Sequence, residues 1–317
     1  MANRPTLYLI DASSYIFRAF FAIRSLSNSK GFPTNAIFGV TGMLTRLLRE
    51  GKPDYIAMVY DTPAPTFRDE LYKEYKANRE ETPEDLVRQL PLVREVVQGF
   101  RIAEVELDGF EADDLIGSIA KRLEGRGIEI VIVTGDKDLM QLVRPGVALL
   151  DTMKDKWIRE PEVREKFGVG PDKVAEVLGL AGDSTDNSPG VPGIGPKTAG
   201  ELVAEFGSIE NVLSKIDKVK GEKRRESLRM FADQAKLSRV LATIHCDAPI
   251  DFDFDQFAAR MPDRKKLREL FRELEFHRFL EEMRESEDRP EEPPQEGRAA
   301  AAASQKFEAV FDAERLE

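Results

Sequence analysis

Short apolar runs that close on an acidic residue mark the first half of the chain. TLYLID (6–11), YIAMVYD (55–61) and IEIVIVTGD (128–136) read as buried strands. Residues 101–107 and 147–151 read as two more. Between the runs, apolar positions recur at helical spacing. One helix opens after Asp11 through Tyr15, Ile16, Ala19, Phe20 and Ile23. Others span about 36–49, 82–99 and 110–125. Strands alternating with helices predict an α/β fold with a mostly parallel central sheet flanked by helices over residues 1–160. From Pro161 the pattern turns to helices, divided by the glycine-rich segment Gly182–Gly200, giving a helical region over 161–283. Residues 284–305 are acidic, proline-rich and then alanine-rich, the composition of a flexible linker. Residues 306–317 regain a strand-like pattern (Phe307, Val310, Phe311) and read as the start of a further domain.

The acids at the run ends carry the chemistry. Asp11, Asp61 and Asp136 fall where an open parallel sheet binds ligands. Glu111, Asp113 and Asp114 open a predicted helix, Asp138 follows Asp136, and Asp183 and Asp186 lie early in the glycine-rich segment, before Gly190. Each has a plainer reading as a helix cap or turn residue. Separate caps need not fall at strand ends of one sheet, however, and carboxylates gathered there repel unless cations neutralise them. Oxygen ligands suit Mg²⁺ or Mn²⁺. Two such ions about 4 Å apart activate water and stabilise a leaving oxygen in phosphodiester cleavage. The pattern predicts oxygens converging on one point and a metal-dependent enzyme acting on phosphate esters.

Composition narrows this reading. The single cysteine, Cys246, excludes an internal disulfide and a thiolate zinc cluster, and fits a reducing compartment. The two histidines, His245 and His277, stand in no triad-like or metal-site context. No run reaches the roughly 20 apolar residues of a membrane span and no secretory pattern follows Met1, so a cytoplasmic protein without a membrane partner is expected. A net charge of −11 speaks against nucleic acid as a partner, but residues 284–317 alone hold ten acids and five bases. Lys215, Lys218, Lys220, Lys223, Arg224, Arg225 and Arg229 crowd one short stretch, either a solvated helix face or a phosphate-contacting stripe.

GVPGIGPKTA (190–199) lacks the contiguous Gly-Lys-Ser/Thr of a P-loop and the preceding strand of a dinucleotide site. It fits a glycine hairpin between two helices, in which Gly193, Ile194 and Gly195 bring backbone amides to a DNA phosphate. The next helix N-terminus, Lys197 and Thr198 would add to that grip. Phe67–Arg79 interleaves aromatics and bases; Arg68, Tyr72 and Lys76 share one helical face and Tyr75 and Arg79 another, which reads as a single-strand contact or an ordinary surface helix. Arg18, beyond Asp11, is placed to hold a phosphate near the acids.

Five segments, YLIDASSYIFRAFF, VYDTPAPTFRDELYKEYKANR, DGFEADDLIG, VTGDKDLMQLV and GDSTDNSPGVPGIGPKTA, resemble in order and spacing the 5′ nuclease domain of bacterial DNA polymerase I, in the flap endonuclease superfamily. The resemblance covers about residues 5–283. It implies a PIN-like nuclease core with a helical arch over about 64–99, a helix-three-turn-helix motif and two divalent ions. Carried over by motif, Asp11, Asp61, Glu111 and Asp113 make a first metal site. Asp114, Asp136, Asp138, Asp183 and Asp186 form or support a second. Arg18, Tyr75, Lys76 and Arg79 position the scissile phosphate, Arg68 lies in the DNA-contacting arch, and the hairpin with Lys220, Lys223 and Arg224 holds duplex DNA, with a K⁺ ion on its carbonyls.

The expected activity is 5′→3′ exonuclease and 5′-flap endonuclease, removing RNA primers and displaced strands. DNA with flaps, nicks or RNA primers is the expected partner. KFEAVFDAERLE (306–317) resembles the start of the polymerase's proofreading-like domain, so polymerase domains on the same chain, and a monomer, are expected. Two rival readings stand beside this one. A haloacid-dehalogenase-like phosphatase also places Asp at a strand end, but needs an acid where Ser13 stands. A non-catalytic DNA-structure-binding module would share the basic and glycine-rich features.

Overall fold

The computed structural model describes residues 4–23 and 25–287. Six strands form one sheet: β1 (Thr6–Asp11), β2 (Tyr55–Val59), β3 (Ala103–Val105), β4 (Glu129–Val133), β5 (Val147–Asp151) and β6 (Lys156–Ile158). Their order is β3-β2-β1-β4-β5-β6, parallel except for the β5–β6 pair. The run of parallel neighbours reverses direction at β1, between β2 and β4, which is where an open sheet leaves a crevice.

The central strands are covered on both faces, which explains their nearly unbroken apolar sequence. Alternation sends Leu7 and Leu9 into one core with Leu115, Ile116 and Ile119 of α6 (Ala112–Arg122). Tyr8 and Ile10 enter the other, with Ile37, Val40 and Leu44 of α2 (Asn35–Gly51) and Val93, Val96 and Val97 of α5 (Leu90–Gly99). Helix α1 (Ala12–Ala22) follows β1 directly and is capped by Asp11.

The segment from 64 to 99 departs from the expected long helices. Over Phe67–Arg79 only α3 (Phe67–Leu71) is helical, closed at its start by a Thr66–Asp69 capping box. Turns follow, and Lys76 has φ +55°, which a continuous helix does not allow. The expected helix over 82–99 is likewise divided into α4 (Glu84–Val87) and α5. Pro91 has no N–H to continue an earlier helix, and it sits in the first turn of the new one. Between them the buried Gln89 turns its side-chain oxygen to the N–H of Ala36 at 2.8 Å, at the start of α2.

The helical region comprises α7 (Glu160–Phe167), α8 (Val174–Ala181), α9 (Pro196–Phe206), α10 (Ile209–Ser214), α11 (Glu222–Met230) and α12 (Ala232–Ala242). Two last helices, α13 (Arg264–Glu273) and α14 (His277–Glu287), return to the α2/α5 side, where Leu267, Leu270, Phe271, Phe276 and Phe279 join that core. Helix α14 runs through 284–287, four residues that the composition assigned to the linker. The rest of the expected linker and the strand-like segment over 306–317 lie outside the described residues.

Candidate active site

The sheet places its acids along one edge. Asp11 ends β1, Asp61 lies two residues past β2, Glu111 and Asp113 open α6 after β3, and Asp136 and Asp138 follow β4. Asp11 is buried; its Oδ1 accepts the Ser14 N–H at 3.0 Å and its Oδ2 the Thr134 hydroxyl at 2.7 Å. Asp61 Oδ2 accepts the Ser13 hydroxyl at 2.6 Å, and its Oδ1 the Ala112 N–H at 2.9 Å, the first of α6. Asp136 Oδ1 takes the Asp138 N–H at 2.9 Å, bending the chain into a short 3₁₀ turn over Asp138–Leu142. Cap and ligand readings therefore do not compete: the caps are what aim these side chains.

The acids feel one another. Burial, then the charges of Asp136, Asp11, Asp61 and Glu111, push the Asp113 carboxyl well above the usual range. Asp11 is pushed up to about 6, chiefly by burial, against its two donors. Asp138 is pushed up to about 8, by burial and then by Asp136. Protein cations meet the remainder. Lys76 Nζ lies 2.5 Å from Glu111 Oε1, and the buried Tyr75 hydroxyl donates to Glu111 Oε2 at 3.3 Å. Arg79 pairs with Asp186 at 2.6 Å, and Lys137 with Asp183. Burial works to raise the Asp183 carboxyl, but Lys137 and the Thr185 N–H outweigh it and hold it low.

Hydrogen bonds to backbone carbonyls sew this bank of the site together. The Lys76 N–H donates to Asp186 O at 3.0 Å, Asn78 to Ser184 O at 2.7 Å and Asn187 to Glu74 O at 2.6 Å. So the turns after α3 are held by the segment before the glycine hairpin, and Lys76 and Arg79 reach the acids from there rather than from a helical face.

Four expectations are corrected. Asp114 is fully buried and bound by the Arg68 guanidinium at 2.7 and 2.8 Å, so it does not face a metal, and Arg68, 2% exposed, does not face DNA. Ile194 is 3% exposed and its N–H donates to Val191 O at 3.0 Å, so neither its side chain nor its amide is free for a DNA phosphate. Finally, the oxygens do not converge on one point: among the described residues no three Asp, Glu, His or Cys side chains draw together tightly enough to hold an ion. The donor set nevertheless fits hard divalent cations. It is oxygen throughout, and Asp138 Oδ1 is sealed from solvent without a hydrogen-bond donor.

Arg18 lies on the other bank. It pairs with Asp151 at 2.7 Å and crosses directly over Gly135, where a Cβ would come within 1.0 Å of its Nη2. Asp151 was missed, although VALLD (147–151) ends on an acid as the other runs do. Burial opposes its charge, but Arg18 and then Lys154 hold its carboxyl low. Thr134, Lys137 and Asn187 were also missed; their partners lie too far along the chain for a local pattern to show.

Farther out, Gly193 has φ +82°, and a Cβ at Gly193 or Gly195 would meet nothing within 4 Å, so this backbone is open. Buried Val191 and Ile194 anchor it, and the Ser227 hydroxyl of α11 donates to Pro192 O at 2.6 Å. Lys197 opens α9, and Thr198 is half-buried there; Lys220 and Lys223 are exposed and Arg224 is half-buried.

Acids that repel one another, set at a sheet's switch point between banks of lysine and arginine, mark a site for phosphate-ester chemistry. Comparison with known proteins gives the family. A model described as the 5′–3′ exonuclease N-terminal resolvase-like domain matches residues 6–168, and one described as the 5′–3′ exonuclease C-terminal SAM fold matches residues 169–265. The chain belongs to the 5′–3′ exonuclease family. It is 46% identical over 295 residues to a DNA polymerase I of Bacillus caldotenax, covering 92% of this chain and 34% of that protein. It is 39% identical over 278 residues to a 5′–3′ exonuclease of Aquifex aeolicus, covering 88% of this chain and 95% of that one. The chain thus spans about a third of the length of the polymerase relatives. Among solved structures, the bacteriophage T5 D15 protein crystallised with metal ions superposes with a TM-score of 0.65 at 18% identity, over 86% of this chain and 98% of that one. The catalytic core of Rad2 in complex with a DNA substrate gives 0.60 at 17%, over 88% and 91%. At these identities the likeness shows the fold. Family membership overturns the phosphatase reading.

Proposed function

We propose that this chain is a structure-selective 5′ nuclease that hydrolyses DNA phosphodiesters at 5′ flaps and 5′ ends, with two divalent cations, Mg²⁺ or Mn²⁺. Asp138 Oδ1 carries the metal assignment: a carboxylate oxygen sealed away without a donor, beside Asp136. Asp11, Asp61, Glu111 and Asp113 would hold the first ion, and Asp136, Asp138, Asp183 and Asp186 the second. When bound, such ions lower the pKa of water and neutralise the leaving oxygen.

The chain's own residues supply position. Lys76, Tyr75 and Arg79 on one bank and Arg18 on the other would grip the scissile phosphate, so that water attacks in line and the 3′ oxygen leaves, giving 5′-phosphate and 3′-hydroxyl ends. The open backbone at Gly193 and Gly195, the N-terminus of α9, and Lys197, Thr198, Lys220, Lys223 and Arg224 would hold duplex DNA, with K⁺ on the hairpin carbonyls. By this reading the protein acts as a monomer, joined to polymerase domains, removing primers and flaps in the cytoplasm; among the described residues no helix is long and apolar enough to cross a membrane.

The test is cleavage of a labelled 5′-flap duplex with and without Mg²⁺, alongside Asp136→Ala. We expect metal-dependent cutting, and a loss of more than about a hundredfold in the variant. Undiminished cutting by the variant overturns the metal assignment. Flap binding that persists in Mg²⁺ with no cutting by the wild type would favour a binding module.

A further inference from the structure

On the Arg18 bank, beside Asp136, lies a pocket of about 320 Å³ that neither the sequence pattern nor the proposed function uses. Gly135 forms part of its wall. Lys154 and Lys156 come from the β5–β6 hairpin and Lys166 from α7. Acids line it too, but two are committed: Asp151 to Arg18 at 2.7 Å, and Glu162 to the Arg159 N–H at 2.8 Å at the start of α7. Only the exposed Glu165 has neither bond. Lys154 reaches Asp151 at 3.2 Å, while Lys156 and Lys166 make no ion pair among the described residues.

The two banks therefore differ. Lys76 and Arg79 are paired with the site's own acids, whereas of this pocket's three lysines only Lys154 is in an ion pair among the described residues. Burial, then Lys137 and Lys154, lowers the Lys166 pKa, outweighing the opposing charges of Asp136 and Asp138. A phosphate would relieve that crowding, and lysine meets phosphate as a point charge. Because Gly135 belongs both to the pocket and to the floor beneath Arg18, the pocket adjoins the position where Arg18 would hold the scissile phosphate.

We propose that the pocket bounded by Lys154, Lys156 and Lys166 binds a phosphate next to the one being cut, and so fixes the register of the strand. This rests on the nuclease reading. The phosphate could belong to the adjoining phosphodiester of the substrate or to the 5′-monophosphate of a released nucleotide.

The experiment uses a variant carrying Lys154→Gln, Lys156→Gln and Lys166→Gln, whose side chains lie on the surface, with an unchanged melting temperature as the check of folding. We expect KM for a 5′-flap substrate to rise roughly tenfold, the loss appearing in KM rather than kcat. The salt dependence of flap binding, read in EDTA, should flatten by about 0.7–0.9 in the log–log slope for each phosphate that the variant leaves unneutralised. A methylphosphonate at the adjoining position that weakens the wild type to the variant's level, and leaves the variant unaffected, assigns the pocket to the substrate backbone. Competitive inhibition by dAMP that disappears in the variant assigns it to the product. A variant with wild-type KM and wild-type salt slope overturns the proposal. Because the slope is read without cleavage, it decides the pocket separately from the nuclease reading, which fails instead if the wild type cuts no flap.

Discussion

Arg68 and Asp114 close on each other through two parallel hydrogen bonds, 2.7 and 2.8 Å long, with at most 2% of either side chain exposed. Each also serves the backbone. Arg68 donates to Leu241 O at 2.8 Å and Thr243 O at 3.0 Å. Asp114 accepts from the N–H of Glu111 at 3.2 Å and of His245 at 2.8 Å. The pair joins α3, the start of α6 and the end of α12 with the chain after it, and it fixes where Glu111 stands.

Arg68→Ala should therefore destabilise the protein by about 3–5 kcal/mol, because it leaves a buried carboxylate unpaired. Replacing both partners, Arg68→Met with Asp114→Leu, should recover little. Two carbonyls and two N–H groups would be left without partners, at about 1–3 kcal/mol each. Urea unfolding of the two variants measures this; a double variant as stable as the wild type would mean that the backbone bonds contribute nothing.

Removal of metal should make stability fall with rising pH. The folded pKa values of Asp11, about 6, and Asp138, about 8, lie above the unfolded carboxyl value of 3.8. Stability from their neutral forms is fully present below 3.8 and is lost as pH passes 6 and then 8. The Asp183 shift has the opposite sign and acts only at acid pH. In EDTA the melting temperature should decline from about pH 5 to about pH 8, and Mg²⁺ should restore it most at the alkaline end. Asp138→Asn should flatten the upper part of that decline. An identical slope in wild type and variant would remove Asp138 from the account.

Gly135→Ala should imitate loss of Arg18. Its φ is not in the left-handed region, and the nearest atoms to the new methyl belong to the movable end of Arg18, 1.0 Å away. The fold should survive while the guanidinium is displaced from Asp151. We expect flap cleavage by Gly135→Ala to fall as far as by Arg18→Ala, with no further fall in the double variant. Additive losses would show that Gly135 acts otherwise.

The hairpin makes a different demand. Gly190 has φ +60°, and a Cβ there would lie 2.3 Å from Gly182 N, backbone against backbone. Gly190→Ala should destabilise by about 1–3 kcal/mol and weaken duplex binding. Lys197→Ala, at an exposed position, should leave the melting temperature unchanged and reduce the salt slope of DNA binding by nearly one. A Lys197→Ala slope equal to that of the wild type would place that side chain outside the duplex contact.

The parallel sheet was legible because strands buried on both faces must be apolar throughout, as TLYLI (6–10) and YIAMV (55–59) are. The strand-end acids were legible because a charge closing such a run is costly unless it has work there. Arg68 and Asp114 were misread for the converse reason. A charged residue is expected at the surface, and only a partner 46 positions away, invisible to any local window, takes both inside. Likewise Phe67–Arg79 has helical spacing, yet hydrogen bonds from residues 184–187 hold its second half in turns. The antiparallel strand β6 is too short for its pattern to declare itself.

Those bonds between residues 74–79 and 184–187 run across the boundary at 168 and 169 where the two family segments meet. The segments divide on paper, but Lys76 and Arg79 stand where they do only because their neighbour on the far side of the join supports them. A recombinant that took one segment from this chain and the other from a distant relative would inherit two sound halves and a mismatched seam. Inheritance of the two is thus bound together, and a change at Asp186 or Asn187 is felt first in a part of the protein more than a hundred residues earlier.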